Sequence, residues 1–151
     1  MGSLGDFFPQ EFRREAAIDN IGIGCVIKCF VANTKPPKEK RIVIVGQDND
    51  GNFVGCVFIN SNLHAKILNT QSLLDQQHLI KHQENSFIDY DSYVDCGYLF
   101  QRNREELISL LESEPDRSLG KLMMEDLETI LSYLKKSATI EPKLLKKFGL
   151  L

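Results

Sequence analysis

Residues 33–41 concentrate positive charge, with Lys35, Lys38, Lys40 and Arg41 set against a single acid, Glu39. Closely spaced ammonium groups attract phosphate, and a planar guanidinium grips two of its oxygens at once. The charge is local. The whole chain carries a net charge of −3 and a pI near 5.6, which excludes a surface coated in cations and confines any contact with RNA to a small patch. The basic loop is the candidate for that patch. The histidines offer less. His78 and His82 have an HxxxH spacing, but a metal centre needs a third ligand, and none is in view. His64 is a candidate for an RNA contact or an acid–base role. The four cysteines, Cys25, Cys29, Cys56 and Cys96, sit in apolar, strand-like surroundings without a CxxC pair. They read as buried free thiols of a reducing cytosol, and no cofactor is expected.

Something must hold those cations in place. Residues 22–61 read as three strands: an apolar, β-branched stretch over 25–31, an Ile/Val run over 42–45 and a third block over 53–59. Asp48-Asn49-Asp50-Gly51-Asn52 supplies the chemistry of a tight hairpin turn between the last two. Further on, 63–68 alternates apolar and polar residues as a strand does, 69–77 reads as irregular, 78–82 as a short strand, and 85–91 as a turn. Residues 92–99 have β character again. The count is about five or six short strands before the period changes.

The change falls at Asn103. Asn103-x-x-Glu106 is a helix-opening arrangement, and Leu107, Ile108, Leu110 and Leu111 supply an apolar face, which predicts a helix over 104–113. Residues 118–120 read as a break. Met123, Leu127, Ile130, Leu131 and Leu134 then repeat at helical spacing, which predicts a helix over 122–135 with that stripe in the core. A last short helix is expected from Pro142 to a stop at Gly149. At the other end, Phe7, Phe8 and Phe12 beside Arg13 and Arg14 suggest an arm or short helix that docks by its aromatics. Strands first and helices last imply an α+β domain, a small barrel with helices packed on it. The division expected is an arm over 1–21, the barrel with its helices over 22–135 and an extension over 136–151. No apolar run approaches the roughly 20 residues needed to span a bilayer, and the start lacks the pattern of a secretory signal, so the expected location is the cytoplasm.

Four stretches in this order resemble the MazF/PemK family of toxin endoribonucleases. They are IGCVIK at 23–28, KEKRIVIV at 38–45, GCVFINSN at 55–62, and the segment 92–107 followed by SLGKLMMEDLETI at 118–130. The resemblance covers most of residues 22–135. It implies an SH3-like barrel, a homodimer, single-stranded RNA as substrate, and neutralisation by an antitoxin protein. It also implies catalysis by Arg41 at the loop-to-strand junction and Ser61 at the end of the third strand, with Lys35, Lys38, Lys40, Asn60 and His64 as RNA contacts. Such an enzyme needs no covalent residue and no metal, because RNA supplies its own nucleophile, the 2′-hydroxyl. Its task is to hold the scissile phosphate and stabilise the charge that develops on it. The chain departs from the family pattern at Ile42, where proline is usual, at Lys28, at Gly24-Cys25 in place of Gly-Asp, and in residues 96–99. These departures leave two alternatives open: a catalytically silent module that binds a protein, and RNA binding without cleavage.

Overall fold

The structure, a computed structural model, describes residues 10–31, 38–61 and 71–151. Phe7, Phe8, Lys35, His64 and the strand expected over 63–68 lie outside the described residues.

Within them the chain is α+β, with seven strands in one antiparallel sheet that curls into a half-barrel. The elements are α1 (Gln10–Asp19), β1 (Cys25–Val31), β2 (Lys38–Gln47), β3 (Phe53–Asn60), α2 (Gln71–Leu74), β4 (Gln77–Ile80), β5 (Ser92–Asp95) and β6 (Phe100–Asn103). There follow α3 (Arg104–Ser113), a 3-10 turn (Pro115–Arg117), β7 (Ser118–Lys121), α4 (Met124–Lys135) and α5 (Pro142–Lys147). The strand order is β4-β5-β3-β2-β1-β7. β6 and β5 share the remaining edge of β3, β6 beside residues 53–56 and β5 beside Ile59 and Asn60. The β2–β3 turn closes as its residues dictate. Asp48 Oδ1 accepts the N–H groups of Asn52 and Phe53, and Gly51 takes φ +70°, where a side chain is strained.

Continuous Ile/Val runs arise where both faces of a sheet are covered, and β2 and β3 are covered on both. Ile42, Ile44, Val54 and Cys56 pack with α1 and α3 through Ala17, Leu107, Ile108 and Leu111. Val43, Val45, Val57 and Ile59 point the other way, into a layer built from α4 and α5 through Ile130, Leu134, Leu145 and Phe148. These are called below the α1/α3 face and the α4/α5 face. Helix α3 opens as read, with the Asn103 side chain accepting the Glu106 N–H at 3.0 Å.

Several expectations are corrected. β2 begins at Lys38, so Lys38 and Lys40 belong to the strand and not to the loop before it, and Arg41 lies within the strand instead of opening it. Pairing with β1 extends the strand past its apolar run, with Cys29 opposite Lys40 and Phe30 opposite Glu39. Residues 118–120 are not a break but part of β7, which pairs with β1 through a bulge and places Gly120 at φ +142°. Its short polar sequence carries no period to read. Within 69–77, α2 forms one short helical turn. Phe12 does not dock; it is 55% exposed, and α1 is held instead by Ala17 and by Arg14, whose guanidinium reaches Glu105 and Glu112 of α3 at 2.8 Å each. Met123 stands just before α4 and is half exposed, so the core stripe of that helix rests on Ile130 and Leu134.

The α4/α5 face closes on one close approach. Gly46 and Gly55 are cross-strand partners, and Phe148 lies over both. A Cβ at Gly46 would stand 2.4 Å from the Phe148 carbonyl oxygen, and one at Gly55 would stand 2.9 Å from its ring. Gly55→Ala should therefore cost about 1–3 kcal/mol by overpacking, and Phe148→Ala about 3–5 kcal/mol by leaving a cavity. Urea denaturation of the double variant should give a loss clearly smaller than the sum of the two, because removing the ring removes the clash. Additive losses would show that the ring does not set the requirement for glycine.

Candidate functional site

β2 and β3 outrun their cover at one end. The burial of β2 rises from exposed at Lys38 and Glu39, through half-buried at Lys40 and Arg41, to buried from Ile42 to Gly46. A cleft of about 300 Å³ lies at this end, bordered by residues 38–41 of β2, Ile59 and Asn60 of β3 with Ser61 just beyond it, Ile88, Asp89 and Tyr90 of the segment leading into β5, and Ser92 at the start of β5. Arg41, Ser61, Lys38, Lys40 and Asn60 are all brought to this one cleft. Lys35 and His64 lie outside the described residues.

Strand alternation divides the cations between the two faces. Arg41 sits opposite Ile59 on the α4/α5 face, and a terminal nitrogen of its guanidinium stands 3.5 Å from Asp89 Oδ2. The Asp89 side chain is 81% exposed, so this is a weak surface pair of about 0–1 kcal/mol. Arg41 Nε is buried without a hydrogen-bond partner. Arg13 and Arg104 each have a buried Nε in the same state, so that atom alone marks no ligand. What distinguishes Arg41 is that its guanidinium borders an open cleft. Lys40 projects to the α1/α3 face, where its ammonium donates to Asn60 Oδ1 at 2.9 Å and lies 5.7 Å from the Phe58 ring. Burial, and then the nearby charge of Lys38, pull the Lys40 pKa below its ordinary value.

Glu39, the lone acid of the basic segment, is engaged elsewhere. Its carboxylate accepts from Arg117 at 2.8 Å and pairs with Lys28 at 3.5 Å. Arg117 also donates to the Lys28 carbonyl at 3.0 Å and lies over the Phe30 ring at 5.4 Å. It thereby ties the 3-10 turn to β1 and β2, and with Glu39 it borders a second, shallower hollow. Sequence reasoning missed both Asp89 and Arg117 as neighbours of the basic strand. Asp89 reads as a turn acid, and Arg117 carries no motif that singles it out; neither contact follows any local period.

Other expected chemistry lies away from the cleft. His78 Nε2 meets Asp126 Oδ1 at 2.9 Å, His82 Nδ1 meets the Ile88 carbonyl, and Asn85 donates to the second oxygen of Asp126 at 3.3 Å, so the two histidines serve separate structural ties between β4, α4 and the following turns. Among the described residues no group of three or more His, Cys, Asp or Glu is arranged to hold a metal ion. All four cysteines are buried free thiols. Burial raises the Cys29, Cys56 and Cys96 pKa values, that of Cys96 to about 12, which removes these three as nucleophiles at neutral pH. No helix among the described residues is long and apolar enough to cross a membrane. No protein-family model and no curated protein matches the chain.

Two outcomes follow from this geometry. Asp89→Asn removes the carboxylate that competes for Arg41, so affinity for inorganic phosphate should rise roughly two- to fivefold, the scale of one exposed ion pair. An NMR titration following Arg41 Nε would read it, and unchanged affinity would mean that Asp89 does not hold Arg41 in solution. The second concerns acid. The Arg117 hydrogen bond, ahead of the charge of Lys28, holds the Glu39 pKa below the usual glutamate value. A carboxylate of this kind adds stability above its unfolded pKa and loses it as pH falls through the lower folded one. Acid unfolding of Glu39→Gln should therefore show a shallower loss of stability from the usual glutamate range downward, with little difference in slope near neutrality.

Proposed function

We propose that this chain is a metal-independent endoribonuclease of toxin type, built on an SH3-like barrel similar to those of the MazF/PemK family. The observation that carries the reading is the convergence of Arg41, from β2, and Ser61, just past the end of β3, on one cleft flanked by Lys38, Lys40 and Asn60. A single-stranded RNA would lay its scissile phosphate against Arg41, displacing Asp89. The 2′-hydroxyl attacks phosphorus and the bond to the 5′-oxygen breaks, leaving a 2′,3′-cyclic phosphate and a 5′-hydroxyl. The guanidinium holds two phosphate oxygens as negative charge builds on them, and Ser61 donates a hydroxyl to the same group. Its partners in this reading are RNA, a second copy of the chain as homodimer, and an antitoxin protein that neutralises it, in the cytoplasm.

The test is direct. Purified protein should cut a mixed-sequence RNA, and chelators should change nothing. Arg41→Lys should fail almost as badly as Arg41→Ala, each losing about 10²-fold or more, because a point charge does not reproduce a two-pronged planar contact. Ser61→Ala should cost less, and Ser61→Thr should be tolerated. Circular dichroism must first show that each variant folds. RNA left uncut by the wild type, with and without added metal, would end the enzyme reading. In that event two alternatives stand, a catalytically silent module that binds a protein and RNA binding without cleavage, and binding of intact RNA separates them.

A further inference from the structure

Three aromatic rings beside the cleft have no part in the mechanism above. Phe58 and Phe100 stack with centroids 4.4 Å apart and planes at 24°. Tyr98 lies 6.1 Å from Phe58 with its plane at 6°, and 5.9 Å from Phe100. Cross-strand pairing puts Phe58 opposite Ile42 and Phe100 opposite Cys56, so the set belongs to the α1/α3 face. Core packing explains Phe58 and Phe100, which are part-buried against that layer. It does not explain Tyr98, which is 49% exposed. Lys40 stands over Phe58, and no carboxylate pairs with it among the described residues. Lys40 lies over Phe58, borders the cleft and donates to Asn60, which borders it too, so the two surfaces meet at that end of the sheet.

We propose that Tyr98, Phe58 and Lys40 form a subsite that stacks a nucleobase of single-stranded RNA next to the phosphate held in the Arg41 cleft. This rests on the reading of that cleft as a phosphate site. Every base presents a π-face, so a flat exposed ring beside a cation binds single strands with little demand on sequence. The strand would pass around the Lys40–Asn60 end, phosphate on the α4/α5 face and base on the α1/α3 face. Positive charge continuous with the cleft favours this occupant over a hydrophobic protein segment. A phosphate near Lys40 would also offset the two influences, burial and Lys38, that disfavour its charge.

Fluorescence anisotropy with a labelled oligouridylate, made non-cleavable by 2′-O-methyl groups, separates binding from cutting. Tyr98→Ala should weaken binding about 5- to 100-fold, the scale of losing one stacked base. Tyr98→Phe should stay within roughly threefold of the wild type, since the π-face remains. The same strand carrying abasic sites should bind weakly and be indifferent to Tyr98→Ala. The slope of log affinity against log salt should be unchanged in Tyr98→Ala and shallower by about 0.7 in Lys40→Gln, where a phosphate contact is lost. The proposal is overturned if Tyr98→Ala binds as the wild type does, if abasic and intact strands bind alike, or if the wild type binds neither at low salt. It is also overturned if Tyr98→Ala alters only self-association in sedimentation, which would make the rings an interface between copies. Cleavage of unmodified RNA reports separately on the first reading. A protein that cuts RNA but ignores Tyr98→Ala loses the subsite alone, and one that binds through Tyr98 without cutting loses cleavage alone.

Discussion

The structure depends on two strands being buried from both sides for most, but not all, of their length. Between Ile42 and Val45 each residue of β2 meets one layer or the other, and β3 answers it through Cys56, Val57 and Ile59. Alternation then determines direction, because a strand pinned at its centre can neither slide nor rotate without turning apolar side chains toward water. Where the layers stop, the same alternation continues into charged residues. Arg41 is aimed by Val43 and Val45, and Lys40 by Ile42 and Ile44. The cations are thus oriented by hydrophobic residues that do not border the cleft.

Magnitudes decide which interactions fix that arrangement. Fully burying one Ile or Val contributes about 1.5–3 kcal/mol, whereas an exposed ion pair contributes about 0–1 kcal/mol. The pairs around the cleft, Arg41 with Asp89 and Glu39 with Lys28, are therefore adjustments to a geometry set by the core. Arg117 is the exception in kind, since one guanidinium joins Glu39, Glu114 and the Lys28 carbonyl. It ties down the strand that carries the cations while leaving Arg41 itself weakly held.

Much of the scaffold could be read from residues alone, because its signals are local. The Ile/Val run, the Asp-Gly turn and the Asn103–Glu106 cap each declare themselves within a few positions. The α+β order follows from them. The elements that escaped are those defined by a partner. β7 is four mostly polar residues that become a strand only beside β1, and the first three residues of β2 look like a loop until Cys29, Phe30 and Val31 are placed opposite them. The site divides the same way. Lys38, Lys40 and Arg41 stand out by charge density, whereas Asp89, Tyr98 and Phe58 gain meaning only from what the curled sheet brings near them. Phe12 and Met123 misled because an apolar side chain at a helix end need not face inward.

Phe148 on the Gly46–Gly55 pair has a bearing on how the molecule is made. Residues 145–150 are structural members of the layer that orients Arg41, yet they are synthesised about a hundred residues after the strands they cover. A ribosome delivers the sheet first and its second cover last. Until α5 and the residues after it have left the exit tunnel, the layer over Val43, Val45 and Val57 lacks Leu145, Phe148 and Leu150, and the Gly46–Gly55 pair is uncovered. The protein therefore cannot acquire its basic cleft in finished form while that part of it is still being translated. Any activity residing there begins only after synthesis has passed this point, and the nascent sheet is exposed to misassembly for the whole interval.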